Sequence, residues 1–196
     1  MSTSQAQILR YCLKNCIFDG WTTELLENAS KSAGLDQNYW RIIFPNGVVD
    51  VIDYFNDQCN LELSELRLNE PRVSEKIRAA VKYRLEMNNK YKEQIRSCMA
   101  VYGLHPIRAS KACYRTVDAI WRVAGDTSTD WNFYSKRALL AGVYLSTLMH
   151  WLTDKSENNA ETWEFLNRRL GEVGKFNKGM GSFKSKLKSV LPNFSS

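Results

Sequence analysis

Five cysteines and two histidines offer the most reactive side chains of this chain, and their spacing supports no chemistry. Cys12, Cys16, Cys59, Cys98 and Cys113 include no CxxC pair, and their number is odd. Cys12 and Cys16 lie one helical turn apart on one face. Such a set reads as buried thiols in a reducing compartment. His105 and His150 are too few and too scattered for a His-rich metal site. No nucleophile elbow, P-loop, paired-carboxylate motif or Cys/His metal spacing occurs, and Asp118 and Glu86 lack evident sequence partners. The expectation is a non-enzyme with no catalytic residue, no metal and no cofactor. The densest polar cluster is Asp126, Asp130, Asn132, Tyr134, Lys136 and Arg137, next to a very apolar segment. Asp126, Ser128, Thr129 and Asp130 suit caps for the helix that follows. Phe133, Tyr134 and Arg137 stand one turn apart and can share a surface.

The elements that must carry these groups are helical throughout. The chain has 196 residues, 44% hydrophobic and 24% charged, with 10 Gly and 4 Pro. That is enough to bury about two-thirds of the unfolded surface without disulfides. Period-3.6 patterning predicts helices over 4–18, 23–32, 36–43 and 48–66. One or two more follow over 74–103, then helices over 109–124, 130–152 and 161–173. Gly34 and Gly125 stand where helix ends adopt left-handed backbone. No strand-like alternation persists, and the longest apolar stretch, 138–152, is too short and too interrupted to span a bilayer. The first residues carry no charge and no apolar core, so no signal or transit peptide is expected.

Charge is unevenly placed within a net +6. From Arg168 onward seven basic residues face one acid, Glu172, whereas residues 1–60 hold four basic residues against seven acids. At about 100° per residue, Phe176, Met180, Phe183, Leu187, Val190 and Leu191 fall in a single arc of about 100°. Lys184 and Lys188 flank one edge, Lys175 and Lys186 the other. This is the pattern of a helix lying in an anionic membrane interface, with lysines snorkelling to headgroups. A docked or partner-binding terminal helix is the alternative. Gly174, Gly179 and Gly181 weaken the helix in water, each by up to about 1 kcal/mol.

Helix, glycine turn and short helix over residues 5–60 form a helix-turn-helix pattern. Gly20-Trp21-Thr22, the Ala33-Gly34-Leu35 turn, Tyr39 and Phe44-Pro45 resemble the amino-terminal domain of the TetR family. The resemblance implies an all-α bundle, dimerisation through its last helices, and a ligand-responsive repressor as the alternative function. DNA affinity, however, comes mostly from neutralising phosphates. The reading helix would begin at Asp36 and offer a single cation, Arg41, beside Asn38 and Tyr39, in an acidic segment. No nucleic-acid partner is expected.

A longer resemblance covers nearly the whole chain. Trp121, Ala124-Gly125-Asp126, Ser128-Thr129-Asp130, Asn132, Tyr134, Arg137-Ala138-Leu139 and Tyr144 carry its most specific block. Thr162-Trp163, Phe165-Leu166, Arg78–Val81 with Arg84-Leu85, and Phe44–Val48 extend it. The chain thereby resembles the ninth-numbered lipid-binding accessory family of ubiquinone (coenzyme Q) biosynthesis. In that family Phe133 is often Trp and Lys136 often Arg. The resemblance implies a TetR-like fold without DNA binding, divided here as residues 1–66, 67–173 and a tail, 174–196. It implies an isoprenoid lipid or ubiquinone precursor as ligand, and the di-iron demethoxyubiquinone hydroxylase as partner.

On those terms the lipid would lie among Val81, Leu85, Val117, Ile120, Trp121, Leu140, Val143, Tyr144, Leu148 and Trp163. The partner surface would comprise Asp130, Asn132, Phe133, Tyr134 and Arg137, since Tyr and Arg are common interface anchors. Phe176, Met180, Phe183, Lys184, Leu187, Lys188, Val190 and Leu191 would bind the membrane. A homodimer is expected, with Leu139 to Trp151 able to serve either a second copy or a partner. The expected location is the bacterial cytoplasm, peripheral on the inner membrane, or the matrix side of the mitochondrial inner membrane for a mature form.

Overall fold

A computed structural model describes residues 3–126 and 131–173; every regular element in it is helical. The expected tail helix and Asp130 lie outside the described residues, as do the side chains of Asn132 and Phe133. Helix α1 (Thr3–Asp19) and α2 (Thr23–Ser32) pack against each other, followed by α3 (Trp40–Ile43) and the long α4 (Val48–Ser64). Then come α5 (Val73–Glu86), α6 (Lys92–Leu104), α7 (Pro106–Val123), α8 (Trp131–Thr153) and α9 (160–173).

Local chemistry sets most boundaries. Thr22 caps α2, its hydroxyl accepting the Leu25 amide at 3.1 Å. Gly34 and Gly125 end α2 and α7 with φ of 73° and 86°. Each closes a Schellman motif: Leu35 and Gly34 amides donate to Ser30 and Lys31 carbonyls, and Asp126 and Gly125 amides to Trp121 and Arg122 carbonyls. Helix α7 begins at Pro106, three residues earlier than expected, because proline tolerates the first turn where no amide donor is needed. The 74–103 stretch divides at Asn88, whose buried amide turns back to donate to the Arg84 carbonyl at 3.1 Å. The expected reading helix over 36–43 shrinks to the four residues of α3. Asp36 instead accepts the Asn38 amide at 2.8 Å, which holds the chain in a turn.

Two apolar clusters share α4. One joins α1, α2 and α3 to Val51, Phe55 and Cys59; the other joins Leu63 to α5, α7, α8 and Leu166 of α9. Ile95 of α6 packs against both. Helix α4 packs most extensively on α7, where Arg108 bridges Asp50 and Asp53 and Arg115 bridges Asp53 and Asp57. All five cysteines are free thiols. Burial, with Cys16 beside it, pushes the Cys12 thiol up to about 12, which keeps that pair protonated and unreactive.

The turn from α8 into α9 is tied by Asp154. Its carboxylate accepts the Ser156 amide at 2.7 Å, the Thr162 amide at 2.9 Å and the Thr162 hydroxyl at 2.5 Å. Burial works against ionisation, but these donors outweigh it and hold the carboxyl far below the ordinary carboxylate range. A depressed folded pKa stabilises the fold fully above the unfolded pKa near 3.8 and less as pH falls below it. Asp154→Asn should therefore lower stability by about 1 to 2 kcal/mol at pH 7. The gap from wild type should narrow in urea melts from pH 5 down to pH 3; a constant gap would show that the carboxylate charge is irrelevant.

Candidate cavity and polar cluster

Five helices surround a cavity of about 390 Å³. Ile52, Phe55 and Asn56 come from α4; Arg84, Leu85 and Asn88 from α5 and the turn after it; Ile95, Cys98, Met99 and Tyr102 from α6. Helix α7 gives Ala109, Ser110, Ala112, Cys113 and Thr116, and α8 gives Tyr144, Leu145, Leu148 and Met149. The walls are mostly apolar. Ser110, Leu145 and Met149 are exposed and mark the rim between α7 and α8. The volume falls in the usual range of small-ligand sites.

The polar exceptions converge on Arg84, which is only 5% exposed. Its Nε donates to Asn60 at 3.2 Å and one Nη2 hydrogen to Asn56 at 3.0 Å. Thr116 also donates to Asn56 at 3.2 Å, and Asn56 to the Ala112 carbonyl at 3.4 Å. Tyr102 donates its hydroxyl to Asp53 at 2.8 Å, and burial together with that carboxylate pushes its pKa up strongly. Burial pushes the Cys113 thiol up to about 11, so it stays a neutral wall.

Of the ten side chains expected to line a lipid site, this cavity gathers Leu85, Tyr144 and Leu148. Trp121, Leu140 and Val143 line a second pocket of about 260 Å³, with Ile77, Lys136 and Val173. Val81, Val117 and Ile120 are fully buried core, and Trp163 lies half-buried against that core. Sequence reasoning missed Arg84, Asn56, Met99, Tyr102 and Thr116. One signal was legible: Arg84 shares the inward stripe of Ile77, Ala80, Val81 and Leu85. A cation on an apolar face is the pattern that marks a polar point in a cavity.

Among the residues expected to face a partner, Tyr134 is 63% exposed but Arg137 is 3% exposed. The Arg137 guanidinium turns inward, with Nε 2.8 Å from Asp118 and Nη1 3.2 Å from Asp126. Lys136 pairs with Asp126 at 3.0 Å and lies over the Trp121 ring. Asp126 thus serves as a counter-ion to Lys136 and Arg137, and Asp118, which lacked a sequence partner, holds Arg137 and Arg122. Arg137 joins the inward register of Leu140, Tyr144, Leu148 and Trp151 on α8, which overrides its closeness in sequence to Tyr134.

In the helix-turn-helix region Trp40 is buried, and Arg41 lies over its ring at 4.5 Å, reaching back toward Asn38. Among the described residues no helix is long and apolar enough to cross a membrane, and no group of three or more His, Cys, Asp or Glu side chains could hold a metal.

The COQ9 family model matches residues 107–177. The chain is 32% identical to the mitochondrial ubiquinone biosynthesis protein COQ9-B of Xenopus laevis, covering 95% of this chain and 68% of that protein. It is 31% identical to mitochondrial COQ9 of Homo sapiens, covering 95% of this chain and 61% of that one. A crystal structure of a TetR transcriptional regulator from Nitrosomonas europaea ATCC 19718 superposes with a TM-score of 0.67 at 20% identity. That match covers 87% of this chain and 97% of the regulator, and shows a TetR-like fold.

Proposed function

The chain belongs to the COQ9 family of ubiquinone biosynthesis proteins, and on that premise we propose that it is a non-enzymatic carrier that holds an isoprenoid or ubiquinone precursor in the α4–α8 cavity. It would present that lipid, at an anionic membrane, to the di-iron demethoxyubiquinone hydroxylase. The observation that carries the reading is the cavity itself: a mostly apolar chamber that opens beside Leu145 and Met149 and has a single charged group in its wall. Its volume suits a head group with the first isoprene units. The remainder of a long chain would leave between Leu145 and Met149 toward the bilayer.

Three further elements complete the proposal. Residues 174–191 supply the membrane contact, through Phe176, Met180, Phe183, Leu187, Val190 and Leu191 flanked by lysines, at roughly 1 kcal/mol per basic residue near anionic lipid. Exposed Tyr134, with Asp130, Asn132 and Phe133, forms the hydroxylase-facing surface, and Arg137 braces it from within. The relatives are mitochondrial proteins, which favours the matrix face of the inner membrane. The TetR-like fold also supports a homodimer. It keeps a repressor reading in view, which the acidic helix-turn-helix segment and the buried Trp40 disfavour.

Mass spectrometry of lipid extracted from the purified protein tests the central claim. An isoprenoid or quinone precursor should accompany the chain, approaching one per protomer. Lipid-free protein that takes up no added prenylquinone would overturn it. Deleting residues 174–196 should abolish flotation with anionic vesicles while leaving the helical fold intact, as read by circular dichroism; a truncated chain that still floats would remove the tail from the membrane role.

A further inference from the structure

We propose that Arg84 is the head-group residue of the cavity: with the Tyr144 hydroxyl it takes an anionic oxygen, carboxylate or phosphate, at the end of an apolar chain. This rests on the reading of the cavity as a lipid site and names the chemistry that site selects. A guanidinium carries five N–H donors and cannot shed its charge. Arg84 commits two of them, to Asn60 and Asn56, both neutral acceptors. Among the described residues no carboxylate lies within ion-pair distance of it. The nearby acids of α4 are committed elsewhere: Asp53 to Arg108, Arg115 and Tyr102, and Asp57 to Arg115.

An unpaired buried charge is among the costliest arrangements in a protein interior. This one survives in the wall of a mostly apolar chamber, where an incoming anion can complete it. Tyr144 supplies the second, independent observation. Its side chain is 5% exposed and lines the same cavity, and its hydroxyl makes no hydrogen bond to any of the described residues. A neutral phenol that donates and a fixed cation together match one oxyanion better than they match a hydrocarbon. Cys98, Met99, Leu148 and Met149 then line the path of the chain toward the rim.

The test titrates the full-length protein, stripped of lipid, with laurate, dodecyl phosphate, dodecanol and inorganic phosphate by calorimetry at pH 8. At least one of the two acids should bind at least about tenfold tighter than dodecanol, the advantage that a charge-assisted hydrogen bond supplies. The tighter acid identifies the head as carboxylate or phosphate. Arg84→Met should bring acids and alcohol to within about twofold of each other while dodecanol affinity is retained, because only the charged contact is lost. If Arg84→Met does not fold, Tyr144→Phe decides: it keeps the ring and should shrink the acid preference about threefold. Equal affinity of the wild-type protein for acids and alcohol would overturn the head-group assignment and leave the lipid cavity standing. Inorganic phosphate binding as tightly as dodecyl phosphate would overturn it as well, since the apolar chain would then contribute nothing. Failure to bind any of the three amphiphiles would overturn both readings.

Discussion

Cys113→Trp should expel lipid from the protein without unfolding it. Cys113 is half-buried on α7 and lines the cavity, so the larger side chain grows into empty space rather than into packed atoms. Burying apolar groups contributes about 0.8 kcal/mol per CH₂. Displacing one five-carbon isoprene unit therefore costs about 4 kcal/mol, close to a thousandfold in affinity. Overpacking a filled core would destabilise by about 1 to 3 kcal/mol; here the melting temperature should hold or rise, because an open cavity is being closed. Lipid extraction and a thermal melt of the same sample read both quantities. Undiminished lipid content in a folded Cys113→Trp protein would place the ligand somewhere other than the α4–α8 cavity.

Arg137→Ala should cost about 3 kcal/mol, the lower end of the penalty for breaking a buried ion pair, because Asp118 and Asp126 keep only the more exposed cations Arg122 and Lys136. Asp118 and Asp126 both face Arg137, and Asp126 is as deeply buried as its partner. In a chain of this size such a loss lowers the melting temperature by about 10 °C. Arg137→Lys should recover part of the loss, since a single ammonium keeps the charge but cannot reach both carboxylates with one planar fork. The two variants separate a structural arginine from one that meets a partner. A surface arginine would lose well under 1 kcal/mol on truncation, and hydroxylase binding would weaken with the melting temperature unchanged. Tyr134→Ala is the complementary variant: it should leave stability near wild type and reduce partner binding.

These expectations show where sequence reading reaches and where it stops. The α2 cap at Thr22, the glycine stops at 34 and 125, and the all-helical class follow from chemistry within a few residues. A hydroxyl can reach only a nearby amide, and a left-handed residue must be where the helix turns. Family membership was legible for a related reason, since the block from Trp121 to Tyr144 is dense in residues whose types and order together are rare by chance. The limits appear at Arg137 and Asp126. Spacing placed Arg137 beside Tyr134, but the stripe it shares with Leu140 and Tyr144 turned it inward, where Asp118 and Asp126 act as its counter-ions.

The cavity shows the same division. An apolar stripe reveals that a face is buried, yet not whether it meets a neighbour or a void. Val81, Val117 and Ile120 met neighbours, while Leu85, Tyr144 and Leu148 met space. Composition, periodicity and local capping sufficed for a helical chain with an acidic front and a basic, amphipathic end, and the Trp121 to Tyr144 block for its resemblance to the COQ9 family. Where five helices leave a chamber, and that Arg84 stands in its wall with no carboxylate, was decided by how those helices cross. Void volume and charge pairing are sums over residues distant in sequence, and no window along the chain contains them.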